Sequence, residues 1–192
     1  MRALRKLPDG YKKIFSVNLA KDKKIAILIN VIALVIAAIM VVIGIFIAPI
    51  SELFSMDEGI GMYALRFVVL IVASVLYIIL HEFVHGITMK HFGCSKVHYG
   101  FKGFYAYAGC DDFFCKREYI IIALAPVVFW GIVLAVINTF VPSEWFWVVY
   151  FVQISNISGA AGDIYVTWKF SKMPKDILVQ DSGVGMTVYS AE

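Results

Sequence analysis

Charge is scarce in this chain. Asp, Glu, Lys and Arg make up 16% of its 192 residues and apolar types 61%, well above the apolar share of a soluble domain. With a mean hydropathy of +0.83, that balance identifies an integral membrane protein whose length suits one domain of a few spans. Cysteine is sparse too. Cys94, Cys110 and Cys115 are unevenly spaced and form no Cys-x-x-Cys, so they read as reduced cytosolic thiols, neither a disulfide framework nor a second zinc site. No internal repeat or low-complexity segment is evident. No cleavable signal peptide is expected, because the first apolar run begins after about two dozen residues and is too long for an h-region.

What is present has a strong polarity. Residues 1–24 hold Arg2, Arg5, Lys6, Lys12, Lys13, Lys21, Lys23 and Lys24 against Asp9 and Asp22. Abutting a membrane span, they serve orientation on the cytoplasmic side and attraction to anionic lipid, which outweighs a nucleic-acid tail. Ile25–Ile50 is the first span, ending at Pro49. Residues 51–61 carry Glu52, Asp57 and Glu58 and no Lys or Arg, as expected for the outer face. Residues 62–91 form the second span, with Arg66 snorkelling to the outer interface. Residues 118–141 form the third, in which Pro126 should kink or open the helix. Trp145–Trp168 is the fourth, with Trp belts at its ends and small residues in its second half. Of 17 basic residues, 16 (all but Arg66) then fall on inner segments.

Two non-helical stretches remain. In residues 92–117, Val97, Tyr99 and Phe101 alternate with His98, Gly100 and Lys102 ahead of a turn at Lys102-Gly103 and then Phe104, predicting a cytoplasmic β-hairpin. It could pair with an extended substrate or serve stability alone. Asp111 and Asp112 read as a turn. Residues 177–180 and 186–189 flank Gly183–Gly185 and read as a short C-terminal hairpin. The expected fold is thus an all-α polytopic membrane protein with four transmembrane helices and these two hairpins. Its divisions are a basic N-terminal segment (1–24), a four-span domain (25–176) and a cytoplasmic C-terminal segment (177–192).

The chemistry is concentrated at Leu80–Gly86, Leu-His-Glu-Phe-Val-His-Gly. His81 and His85, four residues apart on a helix, present two imidazoles to one ion. Glu82 is placed to reach a water on the metal rather than the metal itself. Zinc suits such ligands, lowers the pKa of that water, and leaves the carboxylate to take its proton. Gly86 lets another helix approach closely, and His91 is on another face and reads as interfacial. Counted from Met62, His81 lies about 28 Å along a helix, and Asp163, counted from Trp145, about 27 Å. The two reckonings put them in one layer. Asp163 is the lone acid in its span, and a carboxylate there needs a partner. It reads as the third zinc ligand, with pairing to Lys169 as the competing account. Asn156, seven residues before Asp163 and hence on the same stripe, could hydrogen-bond a substrate carbonyl or developing oxyanion, or act as interhelical glue.

His-Glu-Phe-Val-His-Gly at the inner end of one span, Gly162-Asp163 in a later span, and Asp181-Ser-Gly followed by Val-Tyr together resemble the zincin membrane peptidase family. That family is similar in plan to the intramembrane site-2 zinc metalloproteases. The resemblance runs from about Arg66 onward. It implies that His81, His85 and Asp163 bind Zn2+ and that Glu82 is the general base. One departure is visible: site-2 proteases carry a Pro-rich Leu-Asp-Gly type segment at the third ligand, whereas here Ser-Gly-Ala-Ala-Gly precedes the Asp and Ile follows it. The expected function is zinc-dependent intramembrane or membrane-proximal hydrolysis of a membrane protein or peptide by metal-bound water that Glu82 activates. The expected setting is the lipid bilayer of the cell membrane, with both termini cytoplasmic and no nucleic-acid partner. The alternative is a non-proteolytic membrane protein that binds or senses metal, which would not need Glu82. A transporter fits less well, for want of a repeat or a second charged span.

Overall fold

The computed structural model describes residues 3–18, 21–102 and 105–191. In chain order it contains β1 (Lys12–Val17), α1 (Lys23–Ile47), a 3-10 turn (Ile50–Phe54), α2 (Ile60–His91), β2 (Val97–Lys102), β3 (Tyr105–Cys115), α3 (Lys116–Phe140), α4 (Ser143–Gly159), α5 (Ala161–Ser171), β4 (Leu178–Asp181) and β5 (Met186–Ser190). Arg2, Gly103 of the expected turn and Phe104 fall outside the described residues.

Among the described residues, α1, α2 and α3 are the three helices long and apolar enough to cross a membrane. This corrects the expectation of four spans. The stretch read as a fourth span is broken at Ala160 into α4, of 17 residues, and α5, of 11. The local chemistry accounts for the break. Ser155 and Ser158 hydroxyls donate back to the carbonyls of Phe151 and Ile154, an arrangement that bends helices. Gly159 and Gly162 flank the break and propagate a helix poorly.

The all-α expectation is corrected as well. The two stretches read as hairpins pair antiparallel as β2–β3 and β4–β5, but they are joined, with β1, in one five-stranded antiparallel sheet in the order β1-β5-β4-β3-β2. β1 supplies an edge from the segment read only as a basic anchor.

The chain divides into two compact units. The first comprises Met1–Ile29, Leu80–Pro126 and Gly162–Glu192; the second comprises Asn30–Ile79 and Val127–Ala161. In the first, Cys110 and Phe114 of β3, Val179 of β4 and Val188 of β5 pack with Met89, Ile122, Ala123, Val166 and Phe170 of the helices. α2 ends in a Schellman motif: Cys94 N–H donates to Met89 O and Gly93 N–H to Lys90 O. Gly93, at φ 92°, takes the left-handed position that the motif requires. The turn delivers Cys94 to β3, where it forms a disulfide with Cys110. That overturns the reading of these residues as free thiols; Cys115 alone is unpaired. The pairing spans a strand and a turn, so spacing could not signal it.

The second unit is built on aromatics. Trp147 is fully buried and its indole N–H donates to the Ala48 and Pro49 carbonyls at 3.2 and 3.1 Å. Gly44 is required beneath it: a Cβ there would lie 2.6 Å from the Tyr150 ring and 2.7 Å from Trp147. Arg66 does not snorkel. It is fully buried and donates to the backbone carbonyls of Glu52, at 3.3 Å, and Ser55.

Candidate metal centre

The site lies wholly within the first unit. His81, Glu82 and His85 sit on α2, and Asp163 on the first turn of α5. A helix start favours a carboxylate, so the break at Ala160 gives Asp163 a suitable seat. The two imidazoles stack edge to face with centroids 4.9 Å apart, as i, i+4 geometry dictates. Asp163 meets both. Its Oδ2 is 3.6 Å from His81 Nε2 and its Oδ1 is 3.7 Å from His85 Nε2. Lys169, its alternative partner, holds its ammonium over the Phe15 ring instead.

The other nitrogen of His85 explains the ring's orientation. His85 Nδ1 lies 2.9 Å from the Ile122 carbonyl, which fixes Nδ1–H as the donor and leaves Nε2 to face Asp163. In an unbroken helix the Ile122 carbonyl would bond the N–H four residues on. That residue is Pro126, which has no N–H. The proline thus frees a backbone acceptor for the histidine, a partner of the kind that tunes metal-binding imidazoles.

Glu82 points elsewhere. The Ala108 backbone of β3 lies beside its carboxylate, while one ligand atom from each of His81, Glu82 and His85 falls within 4.8 Å of the others. Two donor sets are therefore conceivable, with Glu82 or Asp163 as the third member. The two oxygens of Asp163 lie near the Nε2 atoms of the two histidines, so Asp163 offers a carboxylate donor beside each imidazole. Ligand atoms about 2.0–2.1 Å from a tetrahedral zinc are about 3.3 Å apart, and the separations of 3.6 and 3.7 Å accommodate that ion with a small contraction. Two imidazoles and a carboxylate are also the donor chemistry of a catalytic zinc with one open position.

Behind the cage, the Tyr119 hydroxyl donates to Asp181 Oδ2, and Gly183 N–H donates to Oδ1 at 2.8 Å. Burial pushes the Asp181 carboxyl up from its ordinary value, and these two hydrogen bonds pull it back. A second group of donors, Cys94, Cys110 and Asp112, is not a metal cage, since its sulfurs are bonded to each other. Asp112 Oδ2 accepts Ser95 N–H at 2.6 Å, and Asp111 pairs with His98 at 3.3 Å.

Asn156 belongs to the second unit and its amide is occupied there. It accepts from the Tyr77 hydroxyl at 2.9 Å and donates to the Val127 carbonyl at 3.1 Å, fully buried. That is interhelical glue, and no catalytic role is assigned to it. Gly86, read as a helix-packing position, receives a side chain: a Cβ there would collide with the Tyr99 phenol of β2. Sequence reasoning missed Ala108, Ile122 and Tyr99. The first two act through backbone atoms that carry no side-chain signal, although Pro126 four residues past Ile122 was a visible hint.

A His-Glu-x-x-His helix in a membrane protein, with a carboxylate aimed at both imidazoles, defines a mononuclear metal-hydrolase class of site. Residues 74–178 match a family described as "Putative zincin peptidase", more than half of the chain, and the chain belongs to that family. Membership and motif together support a zinc-dependent metallopeptidase. No curated protein and no solved structure matches the chain.

Proposed function

We propose that the protein is an intramembrane or membrane-proximal zinc endopeptidase, similar in plan to the site-2 proteases, in which His81, His85 and Asp163 hold the metal and Glu82 is the general base. The observation that carries this reading is the pair of approaches of Asp163, at 3.6 and 3.7 Å, to the Nε2 atoms of the two histidines. Bound zinc would supply Lewis acidity, acidifying a water and polarising the scissile carbonyl. Glu82 takes a proton from the attacking water as the water's oxygen bonds to the carbonyl carbon. It then returns that proton to the amine nitrogen as the C–N bond breaks. The substrate is a membrane protein or peptide whose segment is locally extended at the site. Because the motif lies near the C-terminal end of α2 and the basic residues cluster on that side, both termini and the site's mouth face the cytoplasm of a cell membrane.

The test uses purified full-length protein in nanodiscs, zinc content by elemental analysis, and a library of quenched fluorescent peptides. Wild type is expected to carry one zinc per chain and cleave a subset. Glu82→Gln should keep the zinc and lose at least about 1000-fold in kcat, and His81→Ala should lose both. Zinc binding without cleavage by wild type, or undiminished cleavage by Glu82→Gln, overturns the reading; the former outcome would favour a metal-binding or metal-sensing protein.

A further inference from the structure

Beside Glu82 the molecule has a polar group that the mechanism above does not use. Tyr99 lies on β2, an edge strand of the sheet, and Ala108 of β3 is its directly opposed cross-strand partner. The Ala108 backbone lies beside the Glu82 carboxylate. One rung of the β2–β3 ladder thus delivers both groups to the motif. Gly86 and Glu82 are four residues apart on α2 and share a face. The Tyr99 phenol occupies the space that any side chain at Gly86 would fill, and its ring tilts at 30° against Phe83, with centroids 6.5 Å apart. The motif's glycine therefore makes room for a hydroxyl alongside the base.

Tyr99 is also open to an incoming chain, with 52% of its surface exposed. Partial burial and then the Glu82 charge raise the phenol above its ordinary value, so it keeps its proton through neutral pH and remains a donor. A neutral donor of this kind, on a rigid ladder next to the base, suits charge that develops on a carbonyl oxygen during attack.

We propose that Tyr99 is a further catalytic residue, whose phenol O–H donates a hydrogen bond to the oxygen of the scissile carbonyl as that oxygen gains negative charge. The inference rests on the hydrolytic reading of the site. Gly86 is the positioning residue that allows it.

The experiment compares wild type, Tyr99→Phe, Gly86→Ala and Glu82→Gln as full-length proteins in nanodiscs, with the best-cleaved library peptide and a phosphinic analogue of that peptide. Tyr99→Phe retains the ring and its packing, so the fold and zinc content should be unchanged. Its kcat is expected to fall about 100-fold with KM within about 2-fold, because the contact forms only as charge develops. Affinity for the tetrahedral, anionic phosphinic peptide should fall by a similar factor. Gly86→Ala, which displaces the phenol, should lose kcat comparably while keeping zinc. A Tyr99→Phe enzyme within about 3-fold of wild type in kcat, beside an inactive Glu82→Gln, overturns this inference and leaves the hydrolytic reading standing. A loss of kcat with phosphinic affinity intact also overturns it, since Tyr99 would then act through Glu82 alone. Absence of Glu82-dependent cleavage in wild type removes the hydrolytic reading and this inference with it.

Discussion

Asp163 has a role that a single substitution can separate from the histidines' own. As the acid shared by His81 and His85, it is expected to be essential for zinc. Asp163→Ala should raise the zinc dissociation constant by more than the 10–100-fold typical of losing an outer hydrogen-bond partner, measured by competition with a chromophoric chelator. Retained zinc affinity in Asp163→Ala would remove it from the ligand set and return Glu82 to consideration. Arg66 tests a different residue-scale point. Its guanidinium is buried and satisfies loop carbonyls, so Arg66→Ala leaves acceptors unpaired at a cost of about 2–3 kcal/mol. A lower thermal midpoint in detergent, with zinc affinity unchanged, is the expected result. At this scale the sequence was most legible where chemistry is local. His81, Glu82 and His85 declare themselves through one helical turn, and Asp163 through being an acid among apolar neighbours. Arg66 was misread because its partners are backbone carbonyls that any sequence could supply.

At the scale of elements, the informative feature is the interruption of helices. Pro126 removes one N–H from α3 and so leaves the Ile122 carbonyl to His85. Pro126→Ala returns a competing N–H to that carbonyl. The helix should form at least as well, since proline is the poorest helix former, yet zinc affinity should weaken about 10-fold; an unchanged dissociation constant would make the proline a simple kink. The break between α4 and α5 works in the same way, as it makes a helix start for Asp163. Both interruptions were half legible. Pro126 and the run of small residues around Ala160 were plain in the sequence, but what each interruption serves depends on a partner far along the chain. The sheet was less legible still. β1 hides in a lysine-rich segment, and the β3–β4 and β1–β5 ladders join distant residues, a register that no local alternation encodes.

Over the whole molecule, three apolar helices and a one-sided distribution of basic residues make a strong statement about orientation. The proposed topology puts the C-terminus on the basic, cytoplasmic side. A green fluorescent protein fused after residue 192 is expected to fluoresce and an alkaline phosphatase fusion to be inactive; the reverse pattern would invert the assigned topology. The Cys94–Cys110 bond closes one covalent loop on this scaffold. Its two ends lie 16 residues apart, and the segment between them includes the whole of β2 with Tyr99. A thiol reductant that opens this bond unties the hairpin's base from the end of α2, so the covalent tether is a chemical handle on the strand that carries Tyr99.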